Sequence, residues 1–239
     1  ALFFVYKYQK QKTIIEKQQK NLFKQRLLLS QMNPHFIFNA INSIQSFILK
    51  KNEKDAYSYL TKFSKLIRAI LNNSLKDKIS LNEEIELIQT YIEIEQLRFD
   101  DAFSLILDIS ENIDTDEISV PPMIIQPYIE NAIWHGLMNL NHERKGKLVL
   151  KFSIKDHFLK VIVEDNGIGR ELAKSYKVNH YKPIAMNLTQ ERLEMLHSGD
   201  KKEHIHVEIE DLYNSSHQAS GTCVTIYLPL HYQFKDEYE

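Results

Sequence analysis

Cysteine is almost absent from this 239-residue chain. Cys223 stands alone, which excludes an internal disulfide and every C-x-x-C metal site and fits a reducing compartment. Neither sign of charge prevails: 30 basic against 32 acidic side chains leave a net charge of −2, so no global field points to nucleic acid. The aromatic stretch "ALFFVY" at 1–6 is far too short to cross a bilayer, which takes about 20 apolar residues. Internal repeats and low-complexity tracts are lacking. Glycine is scarce as well, and four of the six glycines (Gly136, Gly167, Gly169 and Gly221) sit in short polar clusters at the ends of expected elements. Glycine at such places permits a positive φ or a close backbone approach to a ligand.

What is present suits a folded protein: 43% hydrophobic and 26% charged residues, in a chain long enough for one large or two modest domains. Residues 1–30 carry seven basic side chains against the single acid Glu16. An aromatic end followed by lysines is how a membrane helix meets the cytoplasm. The expectation is a piece that begins just inside a membrane, with a preceding transmembrane segment. Tyr8, Ile15, Leu22 and Leu29 recur every seven residues, one seam of a polar-layered coiled coil.

From about residue 7 to 50 only Pro34 interrupts a helical pattern. A second helix is expected from about Asp55 to Leu75, after the break "KKNEK". So short a connection folds two amphipathic helices into an antiparallel hairpin. Each keeps an apolar stripe its partner cannot cover, so a dimeric four-helix bundle is the natural solution. Ser80 and Glu83 form a capping box opening a third helix with Leu81, Ile85, Ile88, Ile92 and Phe99 on one face. After Asp101 the period changes to two, over 103–109, 148–154, 158–164, 205–210 and 222–228, with helices near 123–138 and 186–198. The fold class is α+β: an all-helical half, then antiparallel strands with helices on one side, the boundary near residue 100.

Three clusters carry chemistry. In "VEDNGIG" (163–169) an acid at a strand end can accept a hydrogen bond from an exocyclic amine while the glycines clear room for a flat base; an ordinary loop has the same pattern. In "QPYIENAIWHG" (126–136) Asn131 and His135 share a helix face beside Glu130. An amide oxygen suits Mg²⁺, which keeps several waters, although a buried asparagine capping a loop reads alike. In "GTCVTIYLP" (221–229) Gly221 and Thr222 enter a strand. His204 and His206 share a strand face without an evident third ligand, as a solvated face does.

In this order the clusters resemble the nucleotide-binding fold shared by gyrase, Hsp90, MutL and histidine kinases, the GHKL-type α/β sandwich. With "QMNPHFIFNAINSI" (31–44) and "SLNEEIELIQTYIEIEQLRF" (80–99), the chain resembles the LytS-type sensor histidine kinases over about residues 27 to 230. The resemblance implies a signalling helix or coiled coil over 1–30, dimerisation and phosphotransfer helices over 31–100, and an ATP-binding domain over 101–233. It makes His35 the phosphoacceptor, beside a helix bent at Pro34. Asn39, one turn on, would orient the ring or position water. Phe36 stands where many histidine kinases carry a basic acid, and Glu130 is the candidate substitute. Asp165 would recognise adenine, with Thr222 supporting it and Gly167, Gly169 and Gly221 lining the base. Asn131 would hold Mg²⁺, and His135 and Arg192 would line the nucleotide.

Two departures accompany the resemblance. Trp134 replaces a usual lysine, and "PIAM" (183–186) replaces the lid's second glycine motif, so Lys174, Lys177, Lys182 and Arg192 are the cations left for phosphate. The implied partners are ATP, magnesium, a second copy of the chain and a response regulator receiver domain, with no nucleic acid. The implied location is the cytoplasmic face of a bacterial inner membrane. A degenerate, nucleotide-binding scaffold is the alternative. An ATPase of the chaperone or repair branch is third, disfavoured because Pro127 sits where that branch has its catalytic glutamate.

Overall fold

The computed structural model describes residues 11, 34–74, 76–140, 144–175 and 205–230, with the backbone alone at 34, 35, 174 and 175. The expected coiled coil, the "PIAM" lid, the helix near 186–198 and the cations Lys177, Lys182 and Arg192 lie outside these residues, as does the Lys174 side chain.

Helix α1 (Pro34–Leu49) turns back through Lys50–Asn52 into helix α2 (Glu53–Asn73). The Asn52 side chain accepts the Asp55 N–H, and Glu53 and Asp55 face the positive end of the helix. This cap starts α2 two residues before the expected Asp55. The hairpin closes around Ala40 and Phe47 against Tyr59, Leu66 and Ile70, with the Phe47 and Tyr59 rings 5.7 Å apart.

Strand β1 (Ile79–Ser80) pairs antiparallel with β3 (Ser119–Val120), and helix α3 (Leu81–Arg98) follows β1 directly. The capping box is formed as expected: the Ser80 hydroxyl accepts the Glu83 N–H, and the Glu83 carboxylate accepts the Ser80 N–H. The one-faced helix is not what forms. Leu81, Ile85 and Ile92 are buried, but so are Leu87, Tyr91 and Ile94 on other sides. The reason is position, since α3 packs on α2 and also reaches strand β2 (Phe103–Ile109), β3 and the helix that follows them.

The main sheet has strand order β2-β4-β5-β7-β6, from β2 (Phe103–Ile109), β4 (Gly146–Lys155), β5 (Phe158–Asp165), β6 (His206–Tyr213) and β7 (Ala219–Pro229). Every strand is where the alternation placed one. The antiparallel expectation fails at one edge, where β2 and β4 run parallel. Their connection is a long crossover through β3 and the next helix, not a hairpin, and a crossover delivers a parallel neighbour.

That crossover is not one regular helix over 123–138. It has α-helix α4 (Gln126–Asn131), a π turn (Ala132–Gly136) and a 3₁₀ turn (Leu137–Asn139). Helix α5 (Arg170–Ser175) follows β5. One continuous core runs from Ala40 and Phe47 through α3 to Phe103, Leu148, Val161 and Leu228.

Candidate nucleotide site

Strand β5 explains its own last residue. Leu159, Val161 and Val163 point inward at period two, so the next inward position is Asp165, a carboxylate closing an apolar stripe. It is 4% exposed. The Gly167 N–H donates to Asp165 Oδ1 at 2.8 Å, and Thr222 stands opposite in the β5–β7 register. Burial pushes the Asp165 carboxyl up to about 6; the backbone N–H groups of Gly167 and Thr222 pull it back, Glu164 adds to the rise and Arg144 opposes it.

Three glycine backbones crowd Asp165, those of Gly136 and Gly167 at its carboxylate and that of Gly221 at its main chain. A Cβ on Gly136 would lie 2.6 Å from Asp165 Oδ1, and one on Gly167 would lie 2.4 Å from the Gly136 carbonyl carbon. Gly221 has φ +145°, and a Cβ there would meet the Asp165 carbonyl oxygen at 1.9 Å. No side chain fits at any of the three. Gly169, at φ +78°, turns the chain into α5 close to Ala219. Asp165, Gly136, Gly167, Gly221 and Thr222 are thus brought together from three elements. The π turn supplies Gly136, whose carbonyl accepts the Ile168 N–H at 3.3 Å. Such turns concentrate at functional sites.

Asn131 ends α4 half-buried, and His135 is exposed on the π turn, its ring pushed below the ordinary imidazole range by desolvation. The Glu130 carboxyl is pushed up by burial, while a 2.9 Å hydrogen bond donated by Gln126 Nε2 pulls it down. His35 has its backbone in α1, and its side chain is outside the described residues. Asn39, one turn on, is buried, its carbonyl accepting the Ser43 hydroxyl. Phe36 packs against Phe63 and Tyr91, with ring centroids 5.7 and 5.5 Å away.

Trp134 does not face a phosphate site as a lysine would. Its Nε1–H donates to the Tyr91 hydroxyl at 3.3 Å, Arg98 lies 4.5 Å above the ring, and Phe99 meets it edge-on at 5.4 Å. The indole therefore anchors the π turn to α3. Beside it Glu95 is fully buried, 3.7 Å from Arg98 Nη1, and its carboxylate oxygens accept no hydrogen bond from the described residues. Burial pushes the Glu95 carboxyl up to about 7; Arg98 lowers it and Glu130 raises it further.

Three participants escaped the sequence reading. Glu84, fully buried on α3, accepts the N–H of Met123 at 2.7 Å and of Ile125 at 3.4 Å. This holds Met123 at φ +55° just before α4. Asn166 laces its turn to the start of β4, accepting the Lys147 N–H at 2.6 Å and donating to the Lys145 carbonyl at 3.2 Å. Arg144 donates from Nη2 to the carbonyls of Asn166 and Gly167 at 2.6 and 3.1 Å. Only Asn166 had a signal, as the second residue of D-N-G; a glutamate in a first helical turn and an arginine in a polar loop carry none.

A chain with an N-P-H-F helix ahead of a glycine-crowded buried acid falls in the class of histidine kinases. A family model described as histidine kinase matches residues 23–103. The chain belongs to that family, in its LytS-type branch. Sensor protein LytS of Enterococcus faecalis is 36% identical over 142 residues, 59% of this chain and 23% of that one. Sensor protein LytS of Oceanobacillus iheyensis is 34% identical over 164 residues, 69% and 27% of the two chains. Sensor histidine kinase YpdA of Escherichia coli K12 is 38% identical over 148 residues, 60% and 24%. The chain thus spans about a quarter of the length of these curated relatives.

Proposed function

We propose that the chain is the kinase core of a two-component sensor, which phosphorylates its own His35 from magnesium–ATP and passes the phosphoryl group to an aspartate of a response regulator. The observation that carries this reading is the Asp165 carboxylate, buried, held by the Gly167 N–H, with the Gly136 and Gly167 backbones so close to it that a Cβ on either would collide, and with Gly221 packed on its main chain. In this reading the carboxylate accepts a hydrogen bond from the amine of a flat base, with glycine backbone packed beside it. Thr222, opposite Asp165 on β7, supports the same edge.

Magnesium fits a site that offers one neutral amide. Among the described residues no three His, Cys, Asp or Glu side chains cluster to hold a metal, and an ion carried on phosphates needs few protein ligands. Asn131 would hold it, and its charge would offset that of the phosphates. Phosphoryl transfer needs alignment and charge neutralisation more than covalent help. In this reading an imidazole nitrogen of His35 attacks the terminal phosphorus and ADP leaves. Glu130, half-buried and with its carboxyl pushed up by burial, is when ionised the stronger base for it and the candidate to take the imidazole proton, and Asn39 orients the ring.

The hairpin supports a homodimer. Phe38, Ile41, Ile48, Leu60 and Leu71 of α1 and α2 are each more than 40% exposed, an apolar surface that a second copy would cover in a four-helix bundle. In the domain reading 1–30 forms the signalling helix, 31–100 the dimerisation and phosphotransfer helices, and 101–233 the ATP-binding domain. None of the described helices is long and apolar enough to cross a membrane. In this reading the chain works at the cytoplasmic face of a bacterial membrane.

A second reading, a nucleotide-binding scaffold without transfer, is favoured by Trp134, which is committed to α3 where a lysine would serve phosphate. Incubation with γ-labelled ATP separates the two. Transfer predicts an acid-labile, base-stable label that His35→Gln abolishes; nucleotide binding without label leaves the scaffold.

A further inference from the structure

Arg144 stands outside the glycine cluster, yet three carbonyls around Asp165 converge on its Nη2: Asn166 at 2.6 Å, Gly167 at 3.1 Å and Ser220 at 3.5 Å. The nearest is the informative one. The Asn166 carbonyl and the Gly167 N–H belong to a single planar trans amide and point in opposite directions. Arg144 grips one end of that plane, and the other end delivers its N–H to Asp165 Oδ1 at 2.8 Å. A guanidinium on the oxygen both fixes the tilt of the plane and polarises its N–H.

We propose that Arg144 is a positioning residue for base recognition, acting on Asp165 through the Asn166–Gly167 peptide plane. The proposal rests on the reading of Asp165 as the acceptor of the base amine. Asn166 holds the same turn from the β4 side through Lys145 and Lys147, so Arg144 works on a turn already tied at one edge. Through Ser220 it also reaches β7 one residue before Gly221, whose backbone abuts the Asp165 carbonyl. Both strands that frame the carboxylate therefore meet at one side chain. Lysine keeps the charge but not the length and aim of the side chain that brings one nitrogen to all three carbonyls.

The charged groups around Asp165 are Glu164 on β5 and Arg144; His135 precedes Gly136 on the π turn. Glu164 opposes ionisation, and Arg144 favours it both directly and through the Gly167 N–H. Base binding that needs an ionised Asp165 fades as pH falls. Losing the aimed N–H moves that fading to higher pH.

The test measures ATP affinity and autophosphorylation of the whole 239-residue chain between pH 5.5 and 8.5, for wild type, Arg144→Gln, Arg144→Lys and Asp165→Asn. Arg144→Gln is expected to weaken ATP binding about tenfold, the worth of one charge-assisted hydrogen bond, with the rate at saturating ATP retained. Its binding midpoint should move to higher pH, and Arg144→Lys should regain only part of the affinity. Unchanged affinity and midpoint in Arg144→Gln, with Asp165→Asn unable to bind, overturn the proposal alone. A loss equal at every pH marks a merely structural strap and overturns it too. If Asp165→Asn binds ATP normally, the reading of Asp165 falls first.

Discussion

The Asp165 side chain sets binding against stability. Its carboxyl is pushed up to about 6 from an ordinary 3.8, so the fold favours the protonated form. That preference contributes stability below the ordinary value, and the contribution is lost as pH rises through 6. At neutral pH the buried charge therefore costs the fold about 1–3 kcal/mol. Asp165→Asn is expected to raise unfolding free energy at pH 7 by that amount while abolishing nucleotide binding. Urea melts with and without ATP check both halves, and a less stable variant would show the carboxylate to be structural. The acid was legible in the chain, because its strand alternates and glycines follow it. Arg144 was not: its partners are carbonyls, which every residue owns, and only proximity selects among them.

Helix α3 shows the same limit for a whole element. Its capping box announced the start, but its apolar stripe suggested one buried face where the structure buries several. Glu95 is the consequence, fully buried beside Arg98 and pushed up to about 7 from an ordinary 4.5. A raised carboxylate stabilises the fold at low pH, so stability should decline as pH climbs from 4.5 through 7, by up to about 3 kcal/mol from this group. Melting curves across that window should show the slope, and Glu95→Gln should flatten it. A slope that survives the substitution assigns the effect elsewhere. Helix α4 departs from its forecast for a related reason. Pro127 removes one N–H near its start, the Ile125 N–H finds its acceptor on Glu84, and its far end loosens into a π turn that brings Gly136 against Asp165. A window of sequence contains neither partner.

For the molecule as a whole, the exposed apolar stripe on the hairpin is what a second copy would bury. Leu-sized side chains are worth roughly 1.5–3 kcal/mol each when covered. Replacing Phe38 and Ile41 together with glutamate should convert a dimer into a monomer by light scattering, leaving far-ultraviolet circular dichroism unchanged. A wild-type monomer at high concentration would contradict the bundle. His35→Gln belongs at this scale also, since in the proposed reading label requires helix α1 and the Asp165 site to meet.

Local periodicity by itself determined the five strands of the main sheet, the capping box at Ser80 and the place of Asp165 at a strand end with glycines following it, because those depend on neighbours a few residues away. The parallel pairing of β2 with β4, the burial of α3 on several sides, the π turn, the hold of Trp134 on α3 and the grip of Arg144 came only with the folded chain. Each depends on contacts between residues far apart in sequence, and which carbonyl, ring or strand edge arrives there is decided by packing of the whole core.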